Sequence, residues 1–270
     1  MNGERGTQRV VKPKDSCTGS RSGCAAHDLA IAGLIPLSTV DWPDHLAAVV
    51  FCQGCPWRCP FCQNSAILDV HTPGSVPFSV LEDLLSRRHG LLDGVVFTGG
   101  EALRQAAVED AVRVVRTDGF QVALHTGGAY PARLQRLLPS VSWVGLDIKA
   151  MPDDYREAAG FDGGKKAWTA LDALIAERDR RAGTSDVFDF EVRTTVYPNA
   201  PAERRFTELV ERLADLGVQN FALQQARTQG TPGEFQELAQ SWDAGAWQAR
   251  FNQMSVIAQN TLSNVLIRPA

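Results

Sequence analysis

The sequence LAAVVFCQGCPWRCPFCQN occupies residues 46–64. Its first seven residues are apolar and rich in β-propensity, which predicts a buried strand over 46–52. This run leads directly into a loop that carries four cysteines within eleven residues. A second run, GVVFT at residues 94–98, stops in the same way at Gly99-Gly100. Both runs predict strands, and the cysteines and the Gly99-Gly100 pair follow at the carboxyl ends of these strands.

Similar strand patterns alternate with helical patterns along the rest of the chain. The further strands are predicted over 120–125, 143–148, 187–197, 218–224 and 265–268, and the helices over 78–88, 101–117, 131–138, 165–181, 202–216 and 244–259. Strands that alternate with helices imply a parallel sheet with right-handed crossovers. The sequence therefore predicts an α/β fold, either a single-domain full or partial barrel or a doubly wound open sheet. In both architectures function lies at the carboxyl ends of the strands.

Composition bounds the class of protein. The chain has 270 residues, of which 44% are hydrophobic and 21% are charged. A chain of this length and composition builds a hydrophobic core without disulfide or metal cross-links. Its net charge of −4 disfavours a globally basic nucleic-acid binder, and no nucleic-acid partner is expected. No apolar run approaches the ~20 residues of a membrane span, and no secretory signal is apparent, so a cytoplasmic protein with no membrane partner is expected. Residues 1–28 lack hydrophobic periodicity and are predicted to be a disordered tail before a domain at 29–270.

The cysteine loop indicates a metal centre. Zinc ribbons separate their two cysteine pairs by roughly 15–20 residues, whereas only three residues lie between the pairs here. Three thiolates in a C-x3-C-x2-C pattern, from Cys55, Cys59 and Cys62, suit a cubane iron–sulfur cluster whose fourth iron stays open. A zinc-stabilised binding module without catalysis remains the non-enzymatic alternative. Cys17 and Cys24 are interpreted as incidental, and Cys52 as a small buried hydrophobe.

Two motifs together resemble the radical S-adenosylmethionine (SAM) superfamily. The first is C-x3-C-x2-C with Phe61 before its last cysteine, and the second is Thr98-Gly99-Gly100-Glu101. The resemblance implies a partial (β/α)6 barrel similar to a TIM barrel, with function as a radical SAM enzyme. A closer resemblance, over roughly 31–225, is to the activating enzymes of anaerobic (class III) ribonucleoside-triphosphate reductase. The segments that carry it are 33–43, 53–55, 62–64, 143–150 and 193–196.

The resemblance also implies roles for individual residues. Cys55, Cys59 and Cys62 would ligate a [4Fe-4S] cluster that cleaves SAM, and the backbone at Phe61 would contact the adenine. Gly99 and Gly100 would let the main chain approach the methionine moiety, and Glu101 would accept a hydrogen bond from the SAM ammonium group.

Three strands would supply further SAM contacts. Asp147 and Lys149 would lie beside the SAM carboxylate, and Arg193 is a candidate for the carboxylate or the ribose. A structural ion pair is the alternative for each of these three residues. His125 either donates to SAM or caps its strand, and the family's Asp-Thr-Asn-Gly is replaced here by His-Thr-Gly-Gly at 125–128. The missing carboxylate puts a monovalent cation site in doubt.

The implied reaction is reductive cleavage of SAM to a 5′-deoxyadenosyl radical, which abstracts a glycine hydrogen from the anaerobic reductase. Flavodoxin or ferredoxin would supply the electron. Two alternatives stay inside the superfamily: an activase of another glycyl-radical enzyme, such as pyruvate formate-lyase, or a small-molecule enzyme such as 7-carboxy-7-deazaguanine synthase.

Overall fold

A computed structural model describes residues 25–270 of the chain. Cys17 and Cys24 lie outside the described residues. The strands are β1 (Ile31–Ser38), β2 (Ala47–Cys52), β3 (Gly94–Gly99), β4 (Gln121–Thr126), β5 (Trp143–Asp147), β6 (Asp189–Val196), β7 (Asn220–Gln225) and β8 (Asn264–Arg268). The α-helices are α1 (Phe78–Ser86), α2 (Val108–Thr117), α3 (Pro131–Leu137), α4 (Tyr155–Ala159), α5 (Gly164–Arg181), α6 (Pro201–Arg204), α7 (Phe206–Asp215), α8 (Gly233–Gln240) and α9 (Ala244–Thr261).

The eight strands form one sheet in sequence order, from β1 to β8. Strands β2 to β8 pair in parallel, and β1 pairs antiparallel with β2. Within the described residues no pairing joins β1 to β8, so the sheet has two open edges, and the β1 edge carries an isolated bridge between Ile31 and Val76. The order never reverses, which excludes the doubly wound sheet. The predicted α/β architecture, a partial (β/α)6 barrel, is confirmed.

Alternate residues of each strand enter different cores. On β2, Ala48 and Val50 pack into the large cluster that the helices cover. Ala47 and Val49 pack instead into a small cluster on the opposite side of the sheet, with Trp42 and others. We call that opposite side the inner face. Because strand side chains alternate with a period of two, His125, Asp147 and Arg193 also belong to the inner face.

The β1–β2 hairpin contributes to the inner face at the amino ends of the strands. Trp42 is 2% exposed and packs with Val96 and Trp143. The carbonyl oxygen of Asp41, beside it, lies 2.7 Å from Nε2 of His125. The hairpin is therefore fastened to the inside of the sheet rather than projecting freely.

Several sequence predictions need correction. The helix predicted over 101–117 is a 3-10 turn at Ala102–Arg104 followed by α2, because the backbone of Gln105 between them is extended, with φ of −90° and ψ of +128°. The Gln105 side chain donates to the Ala30 and Gln53 carbonyls. The helix predicted over 202–216 is divided into α6 and α7 at Arg205. Strand β1 and helices α4 and α8 were not predicted.

The first described residues overlap the end of the predicted tail. Ala25–Asp28 form a 3-10 helix in which Ala26 is fully buried, so packing begins before residue 29. The rest of the predicted tail lies outside the described residues.

Across 25–270, none of the helices combines the length and the hydropathy needed to cross a bilayer.

Candidate active site

The cysteine loop follows β2 and is fixed by backbone hydrogen bonds. The N–H of Gly54 donates to the Ile67 carbonyl at 2.8 Å, and the N–H of Arg58 donates to the Ala159 carbonyl at 2.8 Å. Cys55 and Cys59 are buried, Cys62 is half-buried, and all three are free thiols. The loop is therefore anchored just before Cys55 and again between Cys55 and Cys59.

Burial dominates the electrostatics of the three thiols, and Lys149 is a neighbouring charge that all three share. Burial raises the pKa of each thiol. The ammonium group of Lys149 acts in the opposite direction on all three. Burial would lower the pKa of Lys149 itself, but Cys59 in its ionised form and the Asp147 carboxylate raise it. Lys149 and the three thiols thus share one small region at the carboxyl end of the sheet.

Cys52 differs from these three cysteines. It ends β2, points into the helix-covered core and is completely buried. Burial raises the pKa of its thiol to about 12, so it stays protonated near neutral pH. These properties agree with its interpretation as a small hydrophobe.

The segment after β3 lies directly on the cysteine loop. The N–H of Gly100 donates to the Cys52 carbonyl at 2.9 Å, and the N–H of Glu101 donates to the Gly54 carbonyl at 3.0 Å. Gly99 has a φ of +112°, and a Cβ there would overlap the backbone of Cys52. A Cβ at Gly100 would overlap the Gly54 carbonyl. Glycine is therefore required at both positions for the two loops to meet.

Glu101 is fully buried between the cysteine loop and β4. Its carboxylate accepts from Thr126 Oγ1 at 2.8 and 2.9 Å, from the Gly127 N–H at 3.0 Å and from the Leu103 N–H at 3.2 Å. Burial raises its pKa despite these donors. A carboxylate offers about four acceptor positions, and three protein donors occupy most of them. About one position remains for a ligand.

Asp147, Lys149 and Arg193 form one ion-pair group at the ends of the adjacent strands β5 and β6. Asp147 accepts from Arg193 Nε at 2.8 Å, and Lys149 Nζ lies 3.3 Å from its other oxygen. Burial opposes the ionised form, but Arg193 and Lys149 hold the pKa of Asp147 well below its usual range. Arg193 also donates to the Gly145 carbonyl at 3.3 Å. This geometry contains the structural ion pair that was the alternative interpretation, and Lys149 also has a cation–π contact with Phe61 at 5.7 Å.

His125 contacts the hairpin rather than the cysteine loop. Its Nε2 is engaged with Asp41, and its ring meets Trp143 edge-on at 5.7 Å. Burial and then the positive charge of Arg193 lower the pKa of His125 to about 3. The imidazole is therefore neutral at physiological pH.

A segment that sequence reasoning missed covers one side of the loop. We call residues 226–243, which connect β7 to α9, the strap. Ser65 Oγ donates to the Gly230 carbonyl in the strap at 2.9 Å. Phe61 packs on Tyr197 at 5.8 Å, and Tyr197 in turn packs on Trp242 of the strap at 6.1 Å. No motif in the strap signalled this contact.

Other supporting residues were also missed. Asn64 Nδ2 donates to the Gly99 carbonyl at 3.1 Å and joins the two motifs. Thr126 supplies the hydroxyl to Glu101, and Trp57 fills the space between the cysteine loop and α4. Asn64 and Thr126 lie within quoted motifs, which was the available signal, whereas nothing in the sequence distinguished Trp57 from a packing tryptophan.

The donor set fits an iron–sulfur cluster better than a mononuclear zinc site. Among residues 25–270, no three side chains of His, Cys, Asp or Glu are grouped to hold a metal ion. A cubane cluster bonds each thiolate to a different iron, so its ligands need not converge on a single point. Two buried thiols and one half-buried thiol beside a lysine, next to a backbone without side chains at Gly99 and Gly100, suit such a cluster.

A model of the radical SAM superfamily matches residues 49–188, just over half of the chain. The chain belongs to the radical SAM superfamily. Membership implies SAM and a [4Fe-4S] cluster as cofactors, and it makes the protein a radical SAM enzyme.

Two relatives indicate the branch of this superfamily. A protein of Methanocaldococcus jannaschii, named as a candidate glycyl-radical enzyme activating enzyme, is 26% identical over 242 residues, which are 88% of this chain and 95% of that protein. The pyruvate formate-lyase 1-activating enzyme of Escherichia coli K12 is 32% identical over 127 residues, which are 44% of this chain and 51% of that enzyme. This radical SAM enzyme is thus homologous to glycyl-radical enzyme activating enzymes, although its match spans about half the length of the Escherichia coli relative.

Solved structures support the fold. Streptococcus suis SuiB bound to S-adenosylmethionine has a TM-score of 0.58 at 11% identity and covers 81% of this chain and 48% of that chain. Escherichia coli QueE has a TM-score of 0.50 at 15% identity and covers 92% of this chain and 99% of that chain. At these identities the likeness concerns the fold alone.

Proposed function

We propose that this radical SAM enzyme activates an anaerobic ribonucleoside-triphosphate reductase by generating its glycyl radical. The observation that carries the activase function is the nearly full-length match to the Methanocaldococcus jannaschii protein. The reductase as target rests on the motifs at 33–43, 143–150 and 193–196. These segments form the hairpin, the β5 end with Asp147 and Lys149, and the β6 end with Arg193.

In this proposal the cysteine loop holds the cluster through Cys55, Cys59 and Cys62. The chemistry supplied by the bound cofactors is one-electron reductive cleavage of the SAM sulfonium, which yields methionine and a 5′-deoxyadenosyl radical. Electrons come from flavodoxin or ferredoxin. The hydrogen atom comes from the glycine Cα of the partner, so 5′-deoxyadenosine and a glycyl radical are the products.

The remaining residues bind and orient SAM. Gly99 and Gly100 admit the methionine part because they carry no side chain, and Glu101 accepts from the ammonium group at its remaining acceptor position. Lys149 donates to the carboxylate. The Phe61 backbone contacts the adenine.

Arg193 and His125 position the segments next to the SAM-binding residues. Arg193 fixes Asp147, which in turn positions Lys149 at 3.3 Å. His125 fastens the hairpin to β4 and does not contact SAM. The two free sheet edges, β1 and β8, bound a lateral opening through which a glycine-bearing loop of the partner reaches the radical.

The test is anaerobic electron paramagnetic resonance. Reconstituted, reduced protein is mixed with SAM and the anaerobic reductase from the same source, and Cys59→Ala serves as the control. A glycyl-radical doublet that requires SAM and vanishes in Cys59→Ala is the expected result. Formation of 5′-deoxyadenosine without that doublet would refute the reductase as partner and leave SAM cleavage intact.

A second candidate target is a glycyl-radical enzyme of the pyruvate formate-lyase type. It is favoured by the 32% identity to the Escherichia coli activating enzyme over 127 residues. The same assay with a pyruvate formate-lyase in place of the reductase separates the two, since only the true partner acquires the doublet.

A further inference from the structure

We propose that the indole N–H of Trp57 is a ligand-directed hydrogen-bond donor, which binds an anionic acceptor of the cluster–SAM assembly at the cysteine loop. Trp57 is 3% exposed, and its Nε1 is buried without an acceptor within the described part of the chain. Most buried donors in folded proteins are paired, so a lone one at a ligand site requires a reason. The inference rests on the cofactors of the superfamily and not on the identity of the activated partner.

Two other polar atoms are buried without a hydrogen bond over residues 25–270, and each belongs to a group with a partner. Arg104 still donates through Nη2 to the Gln53 carbonyl at 3.1 Å. Glu191 forms an ion pair with Arg268 at 2.9 Å. An indole has a single donor, so Trp57 has no second atom through which to satisfy its polar group.

The position of the ring is fixed by packing. Trp57 lies between Cys55 and Cys59 in the sequence, and its ring contacts Tyr155 and Phe161 at centroid distances of 5.6 Å. A Cβ on Gly163 would approach the six-membered part of the indole at 2.5 Å. The residues around it therefore hold the indole in one orientation.

The polar edge of the indole faces the region of Lys149. A Cβ built on Gly127 would lie 2.6 Å from Trp57 Nε1 and 3.4 Å from Lys149 Cε. Any side chain at position 127 would therefore collide with the N–H edge, and only glycine fits beside it. The Gly127 N–H is already used by Glu101, so this corner combines a free donor with the lysine cation.

A donor beside an ammonium group selects an acceptor that carries negative charge. Two such acceptors belong to the assembly: a sulfide of the cluster and the carboxylate of SAM. Hydrogen bonds to the sulfurs contribute to the reduction potential of a cluster, whereas a hydrogen bond to the carboxylate contributes to SAM affinity. The two candidate acceptors can therefore be distinguished by measuring the reduction potential and the affinity for SAM.

The experiment compares reconstituted Trp57→Phe with wild type and with Trp168→Phe. Trp168 is the matched control because it is also buried, at 5% exposure, but its Nε1 donates to the Ala150 carbonyl at 3.2 Å. Two quantities are measured: the reduction potential of the cluster without SAM, and the Kd for SAM by equilibrium dialysis. Assays of iron and acid-labile sulfide establish that the three proteins carry equal amounts of the cluster.

Two results would support the proposal. A more negative potential in Trp57→Phe without SAM assigns the acceptor to a cluster sulfide, because removing a donor disfavours the more negative reduced cluster. A Kd for SAM raised about tenfold at unchanged potential assigns the acceptor to the carboxylate. The Trp168→Phe protein is expected to leave both quantities unchanged.

Unchanged potential and unchanged Kd in Trp57→Phe would overturn the proposal. Because phenylalanine is smaller than tryptophan, the second variant carries 3-benzothienylalanine at position 57, which keeps the shape of the indole and lacks the N–H. It must reproduce the same change, and failure to do so would attribute the effect to lost packing and also overturn the proposal. A missing glycyl radical on the reductase, with one of these two quantities altered as expected, would refute only the proposed partner.

Discussion

Replacing Thr126 with valine tests whether the buried Glu101 depends on its hydroxyl donor. Thr126 is 4% exposed, and its Oγ1 donates to both oxygens of Glu101 while it accepts from the Gly128 N–H at 3.0 Å. Valine keeps the shape and removes both hydrogen bonds. A hydrogen bond to a charged group contributes about 1.5–3 kcal/mol, and an unpaired buried N–H adds about 1–3 kcal/mol. We expect Thr126→Val to lower the free energy of unfolding by about 3 kcal/mol or more.

The assay is urea unfolding of the metal-free, reduced protein at pH 7. Thr194→Val is the matched control, because Thr194 is also fully buried and its Oγ1 donates at 2.8 Å to the neutral carbonyl of Ile148. A neutral hydrogen bond contributes about 1 kcal/mol, so the control should lose about 2 kcal/mol less than Thr126→Val. Equal losses in the two variants would refute the charge-assisted role of Thr126.

The effect of pH on Thr126→Val has a definite sign. Burial already raises the pKa of Glu101 above its ordinary 4.5, and the Thr126 donor counteracts this. Without that donor the folded-state pKa rises further. A group whose pKa is raised on folding favours the folded state most below its unfolded pKa and progressively less as the pH increases. The free energy of unfolding that Thr126→Val loses relative to wild type should therefore be smaller at pH 5 than at pH 7. A loss that grows on acidification would contradict the reasoning.

Three further predictions concern the hairpin, the glycine contacts and the strap. Burial lowers the pKa of His125 from its ordinary 6.5 to about 3 in the folded state, so His125 should remove about 2 kcal/mol of stability between pH 7 and pH 5. Urea unfolding at the two pH values measures this loss, which His125→Asn should abolish. Gly99→Ala should cost roughly 3 kcal/mol or more in the same measurement, whereas Gly119→Ala, with a φ of +92° and open space, should cost about 1 kcal/mol; similar costs would contradict the overlap with the cysteine loop. Gly230→Ala places a Cβ 2.6 Å from the Gln63 carbonyl, so the cluster-loaded variant should lose iron to a chelator faster than wild type, and an equal rate would count against contact with the strap.

The strand–helix alternation could be predicted from the sequence because buried parallel strands are continuous apolar runs. All seven parallel strands fall within two residues of their predicted bounds. Strand β1 escaped prediction because it is an edge strand, half exposed and interrupted by Gly33 and Pro36. Helix α8 escaped prediction because Phe235 is its single buried side chain, so no apolar period marks it.

The candidate site could be predicted only at the level of motifs. Cys55, Glu101 and Lys149 follow different strands, and the common polarity of those strands was sufficient to expect them at the same edge. The donors to Glu101 and the unpaired indole of Trp57 depend on contacts between distant loops. Such contacts have no local signal, because a buried tryptophan in a loop has the same sequence pattern whether or not its N–H is satisfied.

The free edge of β1 has a consequence for self-association. An unpaired strand edge is a template on which a second chain can extend the sheet, and this edge carries exposed Ile35 and Leu37. Pro36 lies between them and has no N–H, and the register shifts between Ile35 and Ser38. The proline and the bulge interrupt the ladder that an incoming strand would need. The exposed edge of β1 is thereby protected against edge-to-edge aggregation.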